Sequence, residues 1–218
     1  LGVDPLRHRQ YLNAFYSGQF PQSFARGELF QENSETGDAR ISGSLASLAG
    51  LESALENMDP AALDDAINRI LCAWVVLLMA GGLPMIYLGD EAAPLSDHSY
   101  QADPDLASDN RWSHRRGFSI ERFEAASSEE GPEGLVLSEL KRILDLRRTL
   151  GIPPSVPPEP FATGDRGTIG YTRGHITVLA NLSRNPAVIN TPPHRFDVIR
   201  NEPWEGNLLS PYEYRVLS

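Results

Sequence analysis

Residues 59–89 constrain the fold more than any other stretch of this chain. Asp59-Pro60 is a helix-start pair: the carboxylate can accept the orphan amide N–H groups of a first turn, and proline suits the first helical position. Ile67, Ile70, Leu71, Trp74 and Leu78 then recur at spacings of three and four, one apolar stripe that predicts a helix over 60–80. Gly81-Gly82 ends it. The apolar run 83–89 follows at once and is bounded by glycine. A run of that kind reads as a strand buried on both faces, as strands of parallel sheets are. Helix, tight turn and buried strand together predict an α/β layer.

The remainder differs in texture. The chain has 218 residues, enough for one large domain or two smaller ones. Residues 1–58 are rich in aromatics, Gly, Ser and Asn, with little regular periodicity. Residues 59–150 add a second predicted helix over 132–150, with Val136, Leu140, Ile143, Leu144 and Arg147 on its inner stripe and Gly151 and Pro153-Pro154 as its stop. A long polar loop, 90–131, lies between; loops of that length are usually functional or mobile. Residues 151–218 are rich in Pro and β-branched residues. Strands are predicted at 168–173, 175–182, 187–190, 196–200 and 212–217, with turn chemistry at Gly164-Asp165-Arg166-Gly167 and Arg173-Gly174. This tail reads as a small antiparallel sandwich. The fold class expected is therefore α/β followed by an all-β domain.

Composition narrows the partners. Twenty-nine acidic against nineteen basic residues give a net charge of -10, which repels phosphate backbones and anionic bilayers. Nucleic acid and membrane are therefore not expected as partners. Of the basic residues all but Lys141 are arginine. A GC-rich genome produces that bias, and so does a need for planar hydrogen-bonding forks. Cys72 is the sole cysteine and sits in an apolar run, so a buried, inert thiol in a reducing, cytoplasmic compartment is expected. The longest apolar stretch, 70–80, is shorter than the roughly 20 residues that span a bilayer. The chain opens without methionine and is expected to be a piece of something longer.

A search for chemistry gives binding groups rather than a catalytic set. Asp90 and Glu91 close the predicted strand, where α/β barrels place functional groups. Two carboxylates are what glycosidic chemistry needs, but adjacent strand residues point to opposite faces. One is expected to cap a loop and the other to form a structural pair. Asp97, His98, Asp103, Asp105 and Asp109 form an acidic loop that lacks the glycine and closing glutamate of a calcium loop. The lone cysteine and scattered histidines exclude an ordinary zinc site. No Gly-x-Ser-x-Gly elbow or phosphate-cradling glycine loop is present. Metal and cofactor are accordingly expected to be none. In 1–58, Arg9, Tyr11, Gln31, Asn33, Asp38 and Arg40 stand among Phe and Gly. Planar donors and amides beside aromatics suit a sugar cleft, and they suit equally a loop-rich subdomain tied together by arginine.

Five ordered blocks sharpen the choice: HRQYLN at 8–13, GQFPQSFARG at 18–27, TGDARISG at 36–43, GGLPMIYLGDE at 81–91 and DNRWSHR at 109–115. In them the chain resembles the amylosucrases and the closely similar sucrose hydrolases of the α-amylase superfamily, glycoside hydrolase family 13. The resemblance runs along most of the chain, strongest over 7–115 and weaker in the β region. It implies that 1–58 is the subdomain inserted after barrel strand seven. It makes 59–150 the last elements of a (β/α)8 barrel, with 83–89 as strand eight, and 151–218 the C-terminal β-sandwich.

The same resemblance implies that the catalytic carboxylates precede residue 1, so that no catalytic residue lies in this chain and the chain alone is inactive. The missing N-terminal part of the enzyme, or self-association, would cover the faces an incomplete barrel exposes. Sucrose and an α-glucan acceptor would be the substrates of the intact enzyme. Arg9, Tyr11, Gln31, Asn33 and Arg40 match acceptor-side positions. Arg111 matches the arginine that floors the glucosyl pocket by pairing with an Asp of the absent half. Without that Asp, Arg111 is expected to be unpaired and the 90–131 loop mobile. The family's Phe and Cys are replaced by Tyr11 and Ala39, which leaves polymerase and hydrolase both open. A free-standing carbohydrate-binding or interaction module without catalysis is the alternative from another class.

Overall fold

The computed structural model describes residues 2–115, 120–128, 131–190, 192 and 194–218. The chain divides into two units, Leu1–Ile67 with Tyr87–Gly134, and Asn68–Ile86 with Leu135–Ser218.

The first unit opens with helix α1 (Pro5–Tyr16), which the periodicity of 1–58 did not predict. Its start carries the same signal as the helix at 60: Asp4 precedes Pro5 and accepts the N–H groups of Leu6 and Arg7 at 2.9 and 3.0 Å. None of its residues is fully buried, so it has no apolar stripe to betray it. Strands β1 (Glu28–Phe30) and β2 (Arg40–Ser42) pair antiparallel, with Glu28 opposite Ser42 and Phe30 opposite Arg40. Short helices α2 (Leu45–Leu48) and α3 (Leu51–Glu56) follow. Gly27 joins these pieces: a Cβ there would lie 2.6 Å from the Tyr16 carbonyl oxygen and 2.7 Å from Leu48. The stretch expected as a loop over 90–131 contains 3-10 turns at Asp90–Ala92, His98–Ala102 and Asn110–His114, then helix α5 (Ile120–Ser127). Residues 116–119 and 129–130 of that stretch lie outside the described residues.

Helix α4 (Pro60–Met79) forms where the sequence predicted it. Asp59 accepts from Ala61 and Ala62 at 3.0 and 3.1 Å, and Ile67, Ile70, Leu71, Trp74 and Leu78 are all buried. Replacing Asp59 by alanine is expected to cost about 1 kcal/mol, the ordinary worth of such a cap. A fall in urea midpoint at constant slope checks it.

The strand predicted at 83–89 is a correction. These residues run without a ladder partner, and Leu83 and Met85 are 90% and 85% exposed. The reason is physical: a strand of a parallel sheet is stabilised by neighbours on both sides. Every ladder among the described residues is antiparallel and none reaches this segment.

The second unit carries the rest of α6 (Gly131–Leu150) and the β-rich tail. Val136, Leu140 and Ile143 are buried as expected, joined by Leu137. Leu144 and Arg147 are only half-buried; Arg147 donates instead to the carbonyls of Leu78 and Gly82. The tail holds β3 (Glu159–Pro160), β4 (Thr168–Arg173), β5 (Ile176–Asn181), β6 (Ala187–Val188), β7 (Phe196–Asp197), β8 (Glu202–Pro203), β9 (Leu208–Leu209) and β10 (Tyr214–Leu217). Six strands form one antiparallel sheet in the order β3-β4-β5-β10-β7-β8, and β6 pairs with β9. Its core is Leu179, Ile189, Trp204, Leu209 and Leu217. Arg173, 2% exposed, is neutralised by no carboxylate among the described residues; its guanidinium donates to the carbonyls of Pro153, Val156, Ile152 and Met79 at 2.7, 2.9, 3.3 and 3.4 Å. Cys72 is buried and its thiol is pushed up to about 12 by burial, an inert state. No helix among the described residues is long and apolar enough to cross a membrane.

Candidate functional site

Four of the residues singled out in the first 58 converge. Gln31, Asn33 and Arg40, with Thr36, Asp38 and Ala39, line an open cleft of about 230 Å³ in the first unit. The turn between β1 and β2 shapes it. Asn33 accepts from the N–H groups of Glu35 and Thr36 through Oδ1 at 2.9 and 3.1 Å. Its own N–H donates to the Asp38 carbonyl at 2.8 Å. Gly37 takes a left-handed φ of 63° to close the turn, a conformation that glycine alone adopts at little cost. Gln31 is left-handed as well, at φ 53°, and a non-glycine residue held so is strained.

Helix α1 fastens this turn from outside. Arg9 donates to Asp38 Oδ2 at 2.8 Å, and Gln10 donates to the Thr36 carbonyl at 3.2 Å. Arg9 thus joins the cleft through Asp38, while its own charge is spent on that pair. Arg40 differs. It is exposed, and among the described residues its guanidinium has no hydrogen-bond or ion-pair partner. A planar fork beside two amides and a threonine hydroxyl can grip vicinal hydroxyls from several directions.

Tyr11 lies elsewhere, in an aromatic cluster with Phe15 and Phe20 at centroid distances of 6.0 and 5.3 Å. Arg111 is a correction. It is not unpaired: Asp109 caps the turn at Arg111 N and also grips the guanidinium, Nε to Oδ1 at 2.8 Å and Nη2 to Oδ2 at 2.6 Å. The two residues are close enough in sequence for this pair to form with nothing else present. That hydrogen bond, first among its influences, holds the Asp109 carboxyl down at about 2. The Arg111 guanidinium also sits 5.0 Å over the Phe30 ring, and Phe30 is the ladder partner of Arg40. Asn110 donates to the Leu29 carbonyl and accepts from Ser42 at 3.2 Å, so the Arg111 turn is docked on the same ribbon that ends in the cleft.

Of the carboxylates at 90 and 91, one caps the loop as expected, while the other forms no ion pair among the described residues, against expectation. Glu91 accepts from the Gly89 N–H at 2.8 Å, capping the loop. Asp90 is raised to about 6 by burial and then by the charge of Glu91. In the acidic loop, Asp97 accepts from Ser99 and Asp103 from Asp105, each at 2.9 Å; these are local caps. One cluster escaped sequence reasoning altogether: Glu28, Glu52, His98 and Tyr100 meet in space. They come from three separate elements, and no spacing rule links them.

No family model matches the chain. Solved structures do. The Sulfolobus tokodaii hypothetical maltooligosyl trehalose synthase aligns at TM-score 0.50 and 18% identity, over 76% of this chain and 22% of that one. A variant of AmyP in complex with maltotriose aligns at 0.55 and 11%, over 79% and 37%. A mutant of the trehalulose synthase MutB in complex with Tris aligns at 0.52 and 13%, over 69% and 38%. These are enzymes of the α-amylase family, and the likeness is one of fold. The chain spans between about a fifth and two-fifths of the length of these three structures.

Proposed function

We propose that this chain forms the C-terminal part of an amylosucrase-like enzyme that acts on α-glucosides, sucrose foremost, and that the Gln31–Asn33–Arg40 cleft is its acceptor-side wall. The observation that carries the reading is the cleft: an unpaired guanidinium set beside the Gln31 amide and the hydrogen-bonded Asn33 amide, open to solvent, on the ribbon that also docks Arg111. Each side chain has a part. Arg40 donates in a fork to sugar hydroxyls, Asn33 and Gln31 orient them, and the Arg9–Asp38 pair holds the turn in place. Arg111 walls the neighbouring pocket. In such retaining chemistry one carboxylate attacks the anomeric carbon and a second protonates the departing oxygen. We place both outside this chain, on barrel strands that would also pair with the exposed 83–88 segment, with the β-rich tail as the sandwich domain.

Titration with maltoheptaose tests the cleft. Saturable binding is expected, with Kd raised about tenfold in Arg40→Ala, equivalent to about 1.4 kcal/mol. Equal affinity in the variant removes the assignment, and no saturable binding by the wild-type chain removes the reading. A free-standing binding module would pass this test equally; the effect of Arg111→Lys on sucrose turnover by the intact enzyme, treated below, separates the two.

A further inference from the structure

We propose that His98, held between Glu28 and Glu52, is a pH-operated latch that fastens the 97–111 segment to β1 and α3. The proposal goes beyond the function proposed above and does not depend on it. Nδ1 of His98 lies 2.8 Å from Glu28 Oε1 and Nε2 lies 3.2 Å from Glu52 Oε1. Both ring nitrogens therefore face carboxylate oxygens. Only the imidazolium can donate from both; a neutral ring has one N–H and must turn a lone pair toward the other carboxylate. The arrangement matches the charged ring and opposes the neutral one.

The surroundings raise the stakes of that proton. From β1, Glu28 also accepts from the Tyr100 hydroxyl. From α3, Glu52 is mostly buried, and its Oε2 has no partner among the described residues; Glu56 on the same helix is taken by Arg26 at 2.9 Å. On the histidine's own side, Asp97 caps the turn. From the Asn110–His114 turn come Arg111, paired to Asp109, and His114, whose pKa burial and then Arg115 lower. His98 is thus the cation that answers Glu28 and Glu52. Losing its proton leaves Glu52 a poorly compensated buried charge.

Burial works against the charge on His98, but the hydrogen bonds to Glu28 and Glu52, and then their charges, outweigh it and raise the imidazole above its usual 6.5. A group raised on folding stabilises fully below its unfolded value and loses that contribution as pH rises through the folded one. The latch is therefore closed in mild acid and released as the pH rises through the raised value.

Amide hydrogen exchange of 97–111 between pH 6 and 9, corrected for intrinsic base catalysis, reads the latch directly. Protection in the wild-type chain is expected to be lost as the pH rises through the transition. In His98→Gln it is expected to be low and flat. NMR titration of His98 should give a midpoint above 6.5, moved down in Glu52→Gln, a variant that keeps the side-chain shape should the first fail to fold. A wild-type midpoint at or below 6.5, or the same pH profile in wild type and His98→Gln, overturns the proposal.

Discussion

Replacing Asp197 with alanine is expected to destabilise the β-rich unit by about 3–5 kcal/mol, the cost of breaking a buried ion pair from one side. Asp197 is fully buried. Its Oδ1 accepts from the N–H groups of Ile199 and Arg200 at 2.9 and 3.1 Å. Its Oδ2 takes both Arg200 Nη1 and Arg215 Nη1 at 2.9 Å. The alanine variant orphans two amides and strips a carboxylate from two guanidinium groups. Glu213 relieves this only in part, because it already holds Arg215 at 2.6 Å and stands 3.8 Å from Arg200. Asp197→Asn keeps the shape and most acceptors and should cost less. Urea unfolding followed by circular dichroism measures both, and a loss below about 1 kcal/mol in the alanine variant would contradict a central role for this carboxylate.

The second large effect concerns Arg111, and it applies to the intact enzyme proposed here. Arg111→Lys is expected to lower kcat/KM for sucrose on the order of a hundredfold, about 2.7 kcal/mol of transition-state stabilisation at 1.36 kcal/mol per decade. The guanidinium presents two parallel donors to a carboxylate and a flat face to Phe30; an ammonium supplies neither. Asp109 keeps the residue oriented in the structure described, so the loss should come from the missing fork and not from a collapsed turn. Steady-state kinetics with sucrose decide it: unchanged kcat/KM would remove Arg111 from the pocket.

How much was legible follows from where the information lies. Helix α4 and the longer strands β4, β5 and β10 could be read because their cap residues and periodicities are local. The six-residue β4 came out at its predicted bounds. Two-residue strands such as β8 and β9 leave no periodic trace, and α1 is too exposed to write one. The 83–89 error has a different origin. The apolar pattern describes a strand surrounded by neighbours, and the chain supplies none to it. In the cleft, Gln31, Asn33 and Arg40 were legible because one short turn carries them together. His98 with Glu28 and Glu52 was not, because only the fold joins them. Arg173, Arg215 and Arg111 each use two or more guanidinium nitrogens in ways a lysine could not.

The division of labour proposed above is open to one direct measurement, fructose release from sucrose by the purified 218-residue chain. The account predicts none, because the attacking and protonating carboxylates are placed outside it and Glu91 is committed to capping Gly89. Sustained release would contradict the account at its centre. It would place the chemistry on carboxylates of this chain, with Asp90, raised to about 6, the first to substitute.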